Sequence, residues 1–235
     1  MNQCSDNKIT IWGAGSTRTM RLVWTALELG LDFTHKPIGS RTGETLTDEY
    51  TRLNPKQKIP TLQHGSLALT ESPAIVNYLV ATFPPPKDFF VPANPAERAR
   101  LDEWCYFVAM ELDAHSLYLI RRHDGLKHIY GEAPEAVKSA QEYFLKQINA
   151  VVPAVAASGN YLMGERFSVA DILLMSCVIW AILYEIPLPQ ALLDYHQRVA
   201  KRWAYQRMLR INFPDWFKSD ASLPDTIQQA IQQDG

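Results

Sequence analysis

Cysteine is scarce. The 235 residues hold three, Cys4, Cys105 and Cys177, with no C-x-x-C pair and no metal-ligand spacing among them, so neither a dithiol redox motif nor a metal centre is expected. Cys105 and Cys177 sit in apolar helical contexts and read as inert core residues. Long apolar runs are missing too. The most apolar stretch, Ile172 to Leu183, is about a dozen residues against the ~20 that a bilayer span requires. There is no excess of either charge. A net charge of −2 and a pI near 6.3 give no electrostatic footprint for nucleic acid or an anionic membrane surface. Met1 to Asn7 is polar and lacks the apolar core of a secretory signal, so a cytoplasmic protein is expected. Repeats and low-complexity tracts are absent.

Apolar residues make up 47% of the chain. That supports a real core, at a length suited to one large domain or two small ones. The most informative stretch runs from Asn54 to Asn77. Thr61-Leu62 and Leu67 to Leu69 flank His64-Gly65-Ser66, which reads as a hairpin. Pro60 cannot donate to a ladder, so it marks a strand start or an edge, and its X-Pro bond is a place for a cis peptide. Ser72-Pro73 reads as an N-cap followed by the first helical residue. Glu71 places a carboxylate beside that helix N-terminus and its unpaired N–H groups. The corner suits a ligand end that carries both an ammonium and a carboxylate. The Ile59 backbone can pair with an extended peptide as an added strand. An ordinary hairpin and an ordinary cap explain the same residues without a ligand.

On either side the pattern is regular. Lys8 to Trp12 is a strand and Gly13 to Thr17 a loop. Met20, Val23, Trp24, Leu27 and Leu31 recur at helical spacing, with Gly30 at the end. Asp32 to Ile38 is a second strand, Gly39 to Thr47 a polar loop and Asp48 to Leu53 a short helix. A further helix runs from Ser72 to about Phe83. The order β-α-β-α-β-β-α favours a parallel first pair. Phe83-Pro-Pro-Pro then stops the helix and stiffens a linker. From Asn94 the chain reads as helical. Asn94-Pro95 caps a long helix with Leu101, Trp104, Cys105, Val108, Leu112 and Leu119 on its apolar side, and a second helix spans Pro134 to Ala157. A third opens on Phe167-Ser168-Val169-Ala170-Asp171-Ile172, a capping box with a hydrophobic staple, and is apolar on nearly every side, hence buried. Leu192 to Tyr205 is a fourth. Phe213 to Phe217 is an aromatic turn expected to pack back onto the body, and Ser222 to Gln233 a polar tail helix.

N-P-x-x-K-I-P-T-L over 54–62, followed by L-T-E-S-x-A-I-x-x-Y-L over 69–79, resembles the glutathione-binding half of soluble glutathione S-transferases. G-x-x-x-S-V-A-D-I, from Gly164 to Ile172, resembles the capping motif of that family's helical half. The resemblance implies an α+β chain with a thioredoxin-like domain over 1–83, a linker over 84–95 and an all-helical domain over 96–235. It implies glutathione as co-substrate, a small hydrophobic electrophile, a homodimer, and no metal, nucleic acid or membrane. The pattern hydroxyl-x-x-x-Arg from Thr17 to Arg21 resembles the serine-type classes, with Thr17 or its neighbour Ser16 as the group facing the glutathione sulfur. Both hydroxyls equally suit caps of the first helix, and Arg18 and Arg21 are either solvated or make the loop electropositive. By the same resemblance Ile59 and Pro60 present the strand edge, Lys58 and Thr45 lie toward the glycyl end, and Glu71 and Ser72 toward the γ-glutamyl end. The electrophile pocket falls near Trp104, Phe107, Met110 and Glu111, with His115 and Tyr118 as further candidates. Those aromatics also suit core packing, and a lone His on an apolar helix face is usually a packed residue. Glutathione-dependent redox or reductive cleavage, and a non-catalytic binding module, remain open alternatives.

Overall fold

Ile-Thr-Ile-Trp alternates buried and half-buried side chains, which gives strand β1 (Ile9–Trp12) one face in the core. The computed structural model describes residues 8–218 and 223–231. Helix α1 (Thr17–Glu28) follows and buries Met20, Leu22, Val23 and Trp24. Strand β2 (Phe33–Lys36) runs parallel to β1. After the short helix α2 (Asp48–Leu53), β3 (Thr61–His64) returns antiparallel to β1, and β4 (Leu67–Leu69) pairs antiparallel with β3. The four-stranded mixed sheet therefore has the order β2-β1-β3-β4. The Ile59–Pro60 peptide is cis, and it lies just ahead of β3, where the missing N–H interrupts no ladder. Helix α3 (Ser72–Thr82) packs against α1.

The start of α3 differs from expectation by one residue. Ser72 is helical rather than the cap, and Glu71 takes the cap position at a left-handed φ of 68°. Ser72 does not turn its hydroxyl onto its own helix; the oxygen accepts from Arg21 Nη1 at 3.1 Å.

A second compact unit starts at Lys87 and is helical. Asn94 caps α4 (Pro95–Phe107), accepting from the Glu97 N–H at 2.9 Å. The long helix continues in wider π-helical turns over Val108–Leu117, an α turn α5 (Tyr118–Ile120) and π-helical turns over Arg121–Gly125, before α6 (Lys127–Tyr130). Helices α7 (Pro134–Ala157), α8 (Val169–Leu183) and α9 (Gln190–Ala200) complete the bundle. Every residue of α8 from Val169 to Ile182 is buried. The capping box at its start is present, and Asp171 does more than cap. Its carboxylate accepts from the Ser168 N–H (2.7 Å), the Ser168 hydroxyl (2.6 Å), the Leu162 N–H (2.8 Å) and the Tyr195 hydroxyl. Burial raises its pKa, against the lowering effect of these four donors.

The helix expected from Leu192 to Tyr205 is two helices. Helix α9 ends at Ala200, Arg202 is extended (ψ 130°) and α10 (Trp203–Asn212) starts anew. Arg202 grips Glu28 of α1 through Nε and Nη2 at 2.8 and 2.7 Å, and Trp24 Nε1 donates to the same carboxylate at 2.9 Å. Tyr205 meets Trp24 edge-on at 5.0 Å. Because α10 buries Tyr205, Met208 and Leu209 on α1, residues 201–218 group with the first compact unit. The aromatic turn (Pro214–Phe217) follows, with Phe213 stacked on Trp216 at 4.1 Å. Within the expected tail helix, α11 (Asp225–Ile231) buries Ile227; the rest of that span lies outside the described residues, as does Cys4. Cys105 and Cys177 are buried. No described helix is long and apolar enough to cross a membrane.

Candidate active site

The loop leaving β1 has its backbone donors assigned one by one. The Gly13, Ala14 and Gly15 N–H groups donate to the carbonyls of Lys36 (2.9 Å), Ile38 (3.0 Å) and Asn212 (2.8 Å). Gly13 lies at φ 124°, and a Cβ there would come within 2.9 Å of Ile59 Cβ. Only glycine lets this loop lie directly against the residue that precedes Pro60. Ser16 caps the helix: its Oγ accepts from the Thr19 N–H at 3.0 Å and lies 2.9 Å from Thr19 Oγ1, where either hydroxyl can donate. Thr17 is the first helical residue and is 6% exposed. Among the described residues no hydrogen bond engages its hydroxyl. The first turn of α1 carries no acid, so the positive end of the helix is not neutralised there. Arg21 is not solvated, contrary to one of the two readings; it is 1% exposed and reaches Ser72.

The opposite side is braced from beneath. The Lys58 carbonyl accepts from the Tyr50 hydroxyl and from Asn54 Nδ2, both at 2.7 Å, and the same two groups meet Thr61 Oγ1 at 2.9 and 3.0 Å. Burial pushes the Tyr50 phenol above its ordinary pKa, which keeps it a donor at neutral pH. The brace holds residues 54–61 in place, and no described backbone group pairs with the Ile59 main chain. The Lys58 side chain is exposed. Thr45 is buried in a 3-10 turn (Glu44–Leu46). Glu44 tethers the loop before it, accepting from the Gly39 N–H at 2.8 Å and Thr42 Oγ1 at 2.7 Å, and these bonds lower its pKa. Glu71 is exposed and accepts from Lys56 Nζ at 2.6 Å. Ser72 is buried beside it and keeps its own O–H to donate. Two contacts tie the suggested residues together: the loop at Gly13 lies against Ile59, and Arg21 of α1 reaches Ser72, the neighbour of Glu71.

Of the residues suggested for the electrophile, two lie side by side on α4. Trp104 and Phe107, edge-on at 6.1 Å, line a cleft of about 420 Å³ with Ala150, Val151, Ala154 and Leu162, and with Arg100 and Glu103. Met110 is exposed, and Glu111 accepts a hydrogen bond from Tyr143. His115 is exposed rather than packed, with Nδ1 3.8 Å from Glu111, and lines a separate groove with Leu119, Ala136 and Tyr143. Tyr118 is half-buried. Here the apolar periodicity marked the helix but not the side chains that share a cavity.

Four supporting residues escaped the reading from sequence. Asn54 and Lys56 lie inside the motif over 54–62, which carries no local signal for a bracing role. Tyr50 had no signal beyond a short helix. Asn212 had none: its partner Ser16 is 196 positions away.

Residues 7–81 match the family model described as glutathione S-transferase, N-terminal domain, and residues 107–202 the one described as glutathione S-transferase, C-terminal domain. The glutathione S-transferase-like protein gedE of Aspergillus terreus is 30% identical over 186 residues, covering 70% of this chain and 74% of that protein. Glutathione S-transferase D7 of Drosophila melanogaster is 28% identical over 168 residues, 70% of each chain. Among solved structures, the theta class glutathione S-transferase from the citrus canker pathogen Xanthomonas axonopodis pv. citri, with glutathione bound, superposes with a TM-score of 0.71. It is 31% identical and covers 86% of this chain and 96% of that one.

Proposed function

This chain belongs to the glutathione S-transferase family and is a glutathione S-transferase enzyme, and on that premise we propose that it joins glutathione to small apolar electrophiles, with the Thr17 hydroxyl donating to the sulfur. The observation that carries the choice of residue is the start of α1, where the Ser16 hydroxyl already engages Thr19 as the cap and no hydrogen bond among the described residues engages the Thr17 hydroxyl. A cysteine thiol titrates near ~8.5 and is mostly protonated at neutral pH. Each unit by which the site lowers that value amounts to ~1.4 kcal/mol in favour of thiolate. A hydroxyl donor at a helix N-terminus, with Arg18 following, supplies this preference. The thiol proton passes to solvent, the sulfur forms a C–S bond at the electrophilic carbon, and the leaving group departs with its bonding electrons.

In this reading the Ile59 backbone pairs with the cysteinyl part of the tripeptide, an added strand held by Pro60 and the Tyr50–Asn54 brace. Glu71 takes the ammonium of the γ-glutamyl end and the Ser72 hydroxyl its carboxylate. Lys58 and Thr45 serve the glycyl end, and Arg18 adds positive potential. Trp104 and Phe107 supply apolar surface to the electrophile, with Met110 and Glu111 further along the same helix. The enzyme works as a cytoplasmic homodimer.

Retention on immobilised glutathione tests the binding half. Wild type is retained, while Glu71→Ala and Ser72→Ala pass through with unchanged circular dichroism. Turnover of a chloronitrobenzene but not of a mixed disulfide supports conjugation; the reverse preference moves the assignment to redox chemistry, and retention without turnover of either to a binding module.

A further inference from the structure

We propose that Asn212, at the C-terminal end of α10, is a positioning residue for catalysis that sets the direction of the Thr17 hydroxyl. The inference rests on the assignment of Thr17 as the donor to sulfur. Asn212 holds the loop by two arms. Its carbonyl accepts from the Gly15 N–H at 2.8 Å, and its Nδ2 donates to the Ser16 carbonyl at 3.0 Å. The Ser16 carbonyl also accepts the first helical hydrogen bond of α1, from the Met20 N–H at 3.0 Å. Both acceptor positions of that oxygen are therefore filled, from two different elements. The Ser16–Thr17 peptide plane, which carries this carbonyl, is fixed in rotation, and with it the direction in which Thr17 leaves the backbone. Helix α10 is itself pinned to α1 by the Arg202–Glu28 pair and the Tyr205–Trp24 contact, so the clamp has a rigid base.

A second observation separates this from ordinary packing. Asn212 is fully buried, and its Oδ1 has no hydrogen-bond partner among the described residues. A buried acceptor left unpaired opposes folding. Leucine, of similar size, would remove that cost. Asparagine at this position is thus poor for stability and necessary only for what Nδ2 does to the Ser16 carbonyl. Charged and titratable side chains at the loop include Arg18 and Arg21 on α1 and His35 on β2, whose Nε2 is 2.8 Å from the Gly13 carbonyl; the bonds of Asn212 go to Gly15 and Ser16 instead.

The experiment is a double-mutant cycle on the full chain, with Asn212→Leu, Thr17→Ala and both together. It reads the thiol pKa of bound glutathione by thiolate absorbance, and kcat and KM with a chloronitrobenzene. Asn212→Leu is expected to raise the bound-thiol pKa by about one unit and lower kcat roughly tenfold. KM for glutathione stays within about twofold, and the melting temperature is equal or higher. In the Thr17→Ala background the same change has no further effect on the thiol pKa, because the hydroxyl it directs is gone. Wild-type thiol pKa and kcat in Asn212→Leu, with Thr17→Ala impaired, overturns this inference alone. Full additivity in the double variant overturns it as well. An unperturbed thiol pKa in Thr17→Ala overturns the Thr17 assignment and this inference with it. Should leucine prevent folding, Asn212→Ala deletes the same donor and carries the same expectations for pKa and kcat.

Discussion

The edge of the first unit proposed to hold glutathione and the long helix of the second are built on different terms. At the edge, side chains and main chain are fixed by named hydrogen bonds: Ser16 on Thr19, Arg21 on Ser72, Tyr50 and Asn54 on Lys58, Asn212 on Gly15 and Ser16. Along the long helix, Trp104 and Phe107 line a cleft among apolar neighbours and Met110 is exposed. A tripeptide with two charged ends demands donors and acceptors at set places, and such demands leave short motifs. An apolar electrophile demands only surface, which many side chains supply. The polar edge is therefore specified residue by residue and the apolar wall only in outline.

In the helical unit, polar geometry is concentrated at Asp171. Asp171→Ala strands two buried N–H groups and two hydroxyls, and a loss of about 4 kcal/mol is expected in urea unfolding. A loss near zero would mean that this unit is held by apolar contact alone. Next in size is His196, fully buried in α9 with its pKa pushed down from 6.5 to about 4 by desolvation. The unfolded chain binds this proton more readily than the folded one between those values. The stability linked to His196 is therefore complete above pH 6.5 and is lost as the pH falls to about 4, about 3 kcal/mol in all. Unfolding of His196→Gln across that window, subtracted from wild type, should show this difference. Ser168→Ala removes one donor to Asp171 and should cost ~1 kcal/mol, read as a lowered melting temperature. At the proposed glutathione edge Lys56→Ala breaks an exposed ion pair with Glu71 and should leave the melting temperature unchanged. A marked drop there would blur the distinction between residues that hold the fold and residues that prepare the site.

Much of the fold was readable because local and global signals agree. Proline before β3, the capping box at Ser168 and apolar periodicity placed the strands, α1, α7 and α8 where they lie. The boundary at Lys201 was not readable. No proline or glycine marks it; the helix breaks there because Arg202 reaches Glu28 and Tyr205 reaches Trp24, contacts made across more than half the chain. The cap of α3 moved by one residue for the same kind of reason, since Ser72 answers to Arg21 rather than to its own helix. That Trp104 and Phe107 line a cleft and His115 a groove was equally hidden, because spacing assigns a helix face but not the cavity beside it.

The central claim is that Thr17, not Ser16, faces the sulfur. Ultraviolet titration of glutathione bound to wild type, Thr17→Ala and Ser16→Ala tests it most directly. Wild type and Ser16→Ala should both hold the bound thiol at least about one unit below its free value, near ~8.5, while Thr17→Ala returns it toward that value with little change in glutathione affinity. A bound thiol that titrates alike in wild type and Thr17→Ala contradicts the account.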